Sequence, residues 1–150
     1  MTHDELVDFI VEAKRATYAS DAGYVEPCRR GAKDLAYARA PFSYLDSYVG
    51  ERDFSGQEVV WFGNAPVWSM CYHGTMLADP PVAGFIETLR AALKLVQPSR
   101  PYRGPKSYRH DGFRYRSDVH GSFDFFHGEE TIDYSGLILY RARYHGGTVS

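Results

Sequence analysis

The chain has 150 residues, a net charge of −2 and 15% aromatic residues, with 12 Tyr and 9 Phe, so it is sized for one domain with a real core. Its near-neutral balance argues against a nucleic-acid or acidic-membrane partner, and no apolar run reaches the roughly 20 residues of a membrane span. The opening MTHDELVDF is too acidic for a signal peptide, and Cys28 and Cys71 lack metal or redox spacing, which points to a reducing, cytoplasmic setting.

Thr2 and Glu5 form a T-x-x-E capping box before Leu6, Phe9, Ile10 and Ala13, which recur at helical spacing. The pattern predicts a helix over about 4–18, with Asp8, Glu12, Lys14 and Arg15 on a solvated outer face. Gly23 and Pro27 break the following loop. From Asp34 the period becomes two. Residues 35–37 read as a short strand or lead-in, and 42–50 as a strand with Phe42, Tyr44, Asp46 and Tyr48 on one face. Residues 58–62 and 66–73 read as a hairpin around Gly63-Asn64.

Asp79-Pro80-Pro81 predicts a helix start with Asp79 as N-cap. Phe85, Leu89, Ala92, Leu93 and Val96 supply its apolar stripe, which ends before Pro98. After a loop over 99–104, strands are expected at 113–121, 129–134 and 137–144, the last two joined by a Ser135-Gly136 turn.

The stretch FSGQEVVWFGNAPVWSMCYHG (54–74) returns 72 residues later as FHGEETIDYSGLILYRARYHG (126–146). Phe54/Phe126, Gly56/Gly128, Glu58/Glu130, Tyr72/Tyr144, His73/His145 and Gly74/Gly146 are identical without a gap. Chance gives about one identity in such a window at average composition. Arg30-Gly31-Ala32-Lys33 answers Arg103-Gly104-Pro105-Lys106, and Phe9-Ile10 answers Phe85-Ile86. One helix and three strands cannot close a core alone, whereas two copies can. The expected architecture is α+β: one domain over 1–150, built of two αβββ repeats (about 4–76 and 79–148). It has an antiparallel sheet, two helices on one face and a groove on a pseudo-two-fold axis.

The duplicated Arg-Gly-x-Lys loops, Arg30/Lys33 and Arg103/Lys106, can present cations and backbone N–H groups to an anion, or stand as solvated basic turns. Arg100, Tyr102, Tyr108 and Arg109 lie nearby. Glu58 and Glu130, read at matching strand starts, are candidate acid/base groups or structural acceptors. Tyr72-His73-Gly74 and Tyr144-His145-Gly146-Gly147 are expected to end matching strands, with His73, His145, Cys71 and Arg143 on the face opposite Trp68, Tyr72 and Tyr144. Two histidines fall short of a metal site, and no phosphate loop, dinucleotide fingerprint or nucleophile elbow occurs. No metal or cofactor is expected.

Tyr44–Gly74, the PYRGP run at 101–105 and FHGEETIDYSGLILYRARYHGG at 126–147 together resemble an uncharacterised bacterial domain-of-unknown-function family, found alone or behind an Xre-type helix-turn-helix. The matching positions are Tyr44, Asp46, Tyr48, Gly56, Glu58, Trp68, Tyr72, 101–105, Gly128, Glu130, Tyr144, His145 and Gly146. The resemblance implies a cytoplasmic domain linked to transcription regulation and supplies no activity. In layout the halves are similar to gyrase-inhibitor-like (GyrI-like) effector-binding domains, which implies aromatics and a central glutamate around a ligand.

Three readings follow. The first is a small-molecule-binding domain whose groove uses Tyr44, Tyr48, Glu58, Trp68, Tyr72, Arg103, Lys106, Glu130, Tyr144 and His145, with Tyr115 and Tyr140 in its wall. The second is a protein-interaction module or homodimer, working with a separate regulator. The third is a hydrolase or isomerase using Glu58 or Glu130 as acid/base, assisted by Tyr72 or His145.

Overall fold

In the computed structural model, which describes residues 1–19, 23–78 and 82–150, the capping box forms. Thr2 N donates to Glu5 Oε2 at 2.7 Å, and Glu5 N donates to Thr2 Oγ1 at 3.2 Å. Helix α1 follows over His3–Ala19. Its stripe of Leu6, Phe9, Ile10 and Ala13 is buried against Phe42, Tyr44, Val60 and Trp68 of the sheet. Lys14 does not lie on the solvated face: it is 0% exposed. It stands one turn after Ile10, and residues four apart share a helix face.

The strands are β1 (Lys33–Arg39), β2 (Phe42–Gly50), β3 (Asp53–Phe62) and β4 (Ala65–Met76), then β5 (Ser107–His110), β6 (Phe113–Ser122), β7 (Phe125–Tyr134) and β8 (Leu137–Thr148). Helix α2, Phe85–Lys94, separates the two sets. It starts after Gly84 at φ 89°, a conformation glycine adopts freely. The Asp79-Pro80-Pro81 start lies outside the described residues. Val96 lies past the helix end yet is buried, and Arg15 donates to its carbonyl through Nη2 at 2.6 Å and Nε at 3.1 Å.

All eight strands form one antiparallel sheet in the order β1-β2-β3-β4-β8-β7-β6-β5. Each helix is thus followed by four strands, not three. Residues 33–39 pair fully with β2. The short β5 pairs with β6, in a segment whose prolines hide any period. The halves meet where β4 pairs β8, with Tyr72 opposite Tyr144. Both helices pack on the Trp68/Tyr72/Tyr144 face. Beneath α2, Phe85 and Ala92 meet Phe113, Tyr115, Ile132 and Tyr140. The two-residue turns fall at Gly63-Asn64 and Ser135-Gly136, with Gly63 at φ 61°, Ser135 at 49° and Gly136 at 85°, the positive angles that tight hairpins require.

The Tyr-His-Gly segments lie inside β4 and β8 rather than at their ends, and Glu58 and Glu130 lie within β3 and β7 rather than at their starts. The glycines do not break these strands. They face aromatic rings across the ladder: Phe54 over Gly74, Tyr72 over Gly56, Tyr144 over Gly128 and Phe126 beside Gly146. A Cβ at Gly56, Gly74 or Gly128 would run into the facing ring, the close approach for which a strand uses glycine. No helix among the described residues is long and apolar enough to cross a membrane.

Candidate functional site

Under the helices the sheet carries a set of buried charges. Helix α1 lowers Lys14 onto Glu58 of β3, with Nζ 2.6 Å from Oε2 and both side chains fully buried. Lys14 also donates to the Tyr102 carbonyl and lies 5.4 Å from the Trp68 ring. Tyr18, one turn further along α1, donates to Glu58 Oε1 at 2.8 Å. Burial pulls the Lys14 ammonium below the ordinary lysine range, against the attraction of Glu58.

The second cluster is built on Arg103. Its Nη2 donates to Glu130 Oε1 at 2.7 Å and its Nε reaches both carboxylate oxygens at 3.3 Å, a forked contact only a guanidinium can make. Tyr140 donates to Oε1 at 2.7 Å and Tyr115 to Oε2 at 2.6 Å. Burial pushes the Glu130 carboxyl up, but Arg103 and these donors outweigh it and hold the group below its usual range. Burial, with the nearby carboxylates, drives the Tyr18, Tyr72, Tyr115 and Tyr140 hydroxyls well above the ordinary tyrosine range, so they remain donors. Arg103 Nη1 reaches Tyr18 Oη at 3.4 Å, linking the clusters, and its guanidinium sits 5.2 Å from the Tyr72 ring.

Asp46 of β2 lies between them. It is opposite Glu58 in the ladder, 3% exposed, and accepts from Tyr72 Oη at 2.6 Å. Burial, then the Glu58 charge, raises its carboxyl to about 7, against the Tyr72 bond and the Arg103 and Lys14 charges. The corresponding position in the second half is Ser117, whose Oγ lies 2.8 Å from Tyr144 Oη. A neutral hydroxyl pair there replaces the acid–phenol pair here.

Asp46, Tyr72 and Arg103 form the floor of a groove of about 600 Å³, within the size range of small-molecule sites. Tyr18 of α1 and Leu89, Arg90 and Leu93 of α2 contribute helix walls, while Tyr24, Tyr48 and Phe54 add aromatic surface. Most of the lining comes from the first half, while Leu89, Arg90, Leu93 and Arg103 come from the second.

Of the residues singled out by sequence, Tyr48, Tyr72 and Arg103 line this groove. Tyr44, Trp68 and Tyr144 are buried in the core. Glu58 and Glu130 lie beneath the groove floor in the ion pairs above, and Lys106 is exposed away from it. Arg30 is exposed while Arg103 is buried, so the two Arg-Gly-x-Lys loops do different work. His145 lies on the opposite sheet face, beside a smaller hollow of about 430 Å³ with Cys71 and His127. Among the described residues no group of three or more His, Cys, Asp or Glu could hold a metal ion.

From sequence Lys14 reads as solvated, Asp46 has a strand face and a family match but no site role, and Tyr18 and Arg90 are not singled out. The first could have been found from its i+4 relation to Ile10. Asp46 could have been found as an acid on the same strand face as Phe42, Tyr44 and Tyr48.

One family description, a domain of unknown function (DUF5680), matches residues 46–149, and the chain belongs to that family. The match begins at Asp46 and takes in all of β3 to β8. No curated protein and no solved structure matches the chain.

Proposed function

We propose that this member of the DUF5680 family is a small-molecule-binding domain of the effector or sensor type, its ligand seated in the groove over Asp46. The carrying observation is the floor itself: a carboxylate almost removed from water, beside a phenol and a buried guanidinium, opens onto a cavity of about 600 Å³. A network serving stability alone gains nothing from such a carboxylate, since a buried acid without its own cation is costly. The Glu58 and Glu130 pairs supply rigidity beneath the floor. The same reading takes the two helix-plus-strands halves as copies of one ancestral unit, in which the Asp46 half has kept an open groove. It further places the protein in the cytoplasm, reporting ligand to a separate helix-turn-helix regulator.

The test is mass spectrometry of protein purified gently and then denatured. Wild type is expected to release a stoichiometric small molecule. Tyr48→Ala is expected to release at most about a tenth as much while keeping its circular dichroism, because truncating a ring in a pocket costs roughly 1–3 kcal/mol of binding. An empty wild-type protein, or equal loading of Tyr48→Ala, overturns the reading.

Asp46 also leaves a mark on stability. Its ordinary value is 3.8 and its folded value about 7, so between those values the folded chain holds a proton that the unfolded chain releases. Stability from this group is full below about pH 3.8 and is lost as pH rises through about 7. Asp46→Asn keeps an oxygen for Tyr72 and has no proton to lose. It is therefore expected to be more stable than wild type near pH 8, with the advantage fading toward pH 4. Urea midpoints at the two pH values measure this, and a less stable variant at pH 8 contradicts it.

A further inference from the structure

We propose that the groove takes a zwitterionic small molecule, its cationic group on Asp46 and its anionic group on Arg90. The inference rests on the small-molecule reading above and names the chemistry of the ligand.

Among the described residues five charged side chains line the groove: Lys33, Asp46, Glu51, Arg90 and Arg103. Lys33 pairs with Glu51 at 2.9 Å and Arg103 with Glu130 at 2.7 Å. Asp46 and Arg90 remain. Lys14 is paired with Glu58 and Arg103 with Glu130, so among the described residues no cation forms an ion pair with Asp46. Among the described residues its one hydrogen-bond donor is the neutral Tyr72 hydroxyl. Arg90 is exposed on α2 and makes no ion pair among the described residues.

The two charges sit on different walls, Asp46 on the sheet floor and Arg90 on the helix. Tyr48 stands within the field of both. Burial and the Tyr24 hydroxyl, with Asp46, push its hydroxyl up, and Arg90 pulls it down. A molecule touching both groups therefore spans the groove past Tyr48, with Phe54, Tyr72, Leu89 and Leu93 around its body. An ammonium there gains from Asp46 and from the ring faces, and a carboxylate or phosphate gains from the guanidinium fork. Neither a plain cation nor a plain anion satisfies both walls.

Cation binding needs ionised Asp46. The groups facing Asp46 are Tyr44 and Tyr48 from its own strand, Glu58 from β3, Tyr72 from β4, Lys14 and Tyr18 from α1 and Arg103 from the segment before β5. Affinity for the zwitterion is expected to fall as pH drops below about 7.

Calorimetry with three matched probe sets tests the proposal. One set is phenethylamine, 3-phenylpropionate and phenylalanine. The others are benzylamine, benzoate and 4-(aminomethyl)benzoate, and hexylamine, hexanoate and 6-aminohexanoate. They place the two charges at three spacings. In at least one set the doubly charged member is expected to bind at least about tenfold tighter than either singly charged one. Asp46→Asn should erase its advantage over the acid, and Arg90→Gln its advantage over the amine. Arg90 is on an exposed helix face, so its variant reports on binding with the fold intact. If no set shows that preference, or if no probe binds, the zwitterion is wrong. A neutral or singly charged probe that binds and is lost in Tyr48→Ala keeps the groove and removes only the zwitterion. An empty native protein in the mass measurement removes both.

Discussion

Arg103→Ala is expected to destabilise the fold by about 3–5 kcal/mol, the usual cost of leaving one half of a buried pair behind. The guanidinium supplies the forked contact to Glu130 and lies against the Tyr72 ring. Without it Glu130, fully buried, keeps only Tyr115 and Tyr140 as donors, which cannot balance a charge. The carboxyl would then take up a proton, and the loss should be greatest at high pH, where that proton is scarcest. Arg103→Lys should recover little, because an ammonium cannot reproduce two parallel N–H contacts. Urea denaturation followed by circular dichroism measures both. A loss under about 1 kcal/mol for Arg103→Ala would show that the Glu130 tyrosines suffice. With total stabilities of roughly 5–15 kcal/mol, a loss of this size brings the protein close to unfolding.

Lys14→Met is expected to cost a similar amount, again about 3–5 kcal/mol, although methionine fits the space left by the aliphatic stem. The loss is electrostatic: Glu58 at zero exposure keeps the Tyr18 hydroxyl and loses its cation. The decisive comparison is the double variant Lys14→Met/Glu58→Gln. Removing both charges should restore much of the stability, since a buried pair contributes little net free energy against a neutral replacement. If the double variant is as unstable as the sum of the singles, the two groups act independently and the pair is not the unit of stability.

Local features were legible in the sequence because they have local causes. The Thr2–Glu5 box, the two-residue turns and the alternation that puts Trp68, Met70 and Tyr72 on one face were read from residues a few positions apart. The alternation of a helix with a run of strands was also legible from period and turn residues, short of the fourth strand. Tertiary choices were hidden. Lys14 looks like any surface lysine until Glu58, 44 positions later, appears beneath it. Gly74 and Gly146 look like strand terminators because the rings that fill their places come from neighbouring strands. The groove takes its helix wall from α2 and its floor from β2 and β4, a meeting of distant segments that local spacing does not show. Ser117 stands opposite Glu130 as Asp46 stands opposite Glu58, so one residue decides whether a buried acid lies there.

The strand order also bears on how the protein is made. β4 finds β3 across a two-residue turn, but its other neighbour, β8, begins 61 positions after Met76 ends it. At roughly 5–20 residues per second of synthesis, the first half spends several seconds as a four-stranded meander. Throughout that time its twelve-residue inner edge remains open to any passing strand. That edge, destined for the middle of the finished sheet, is the point at which a nascent chain is exposed to mispairing with a second copy of itself.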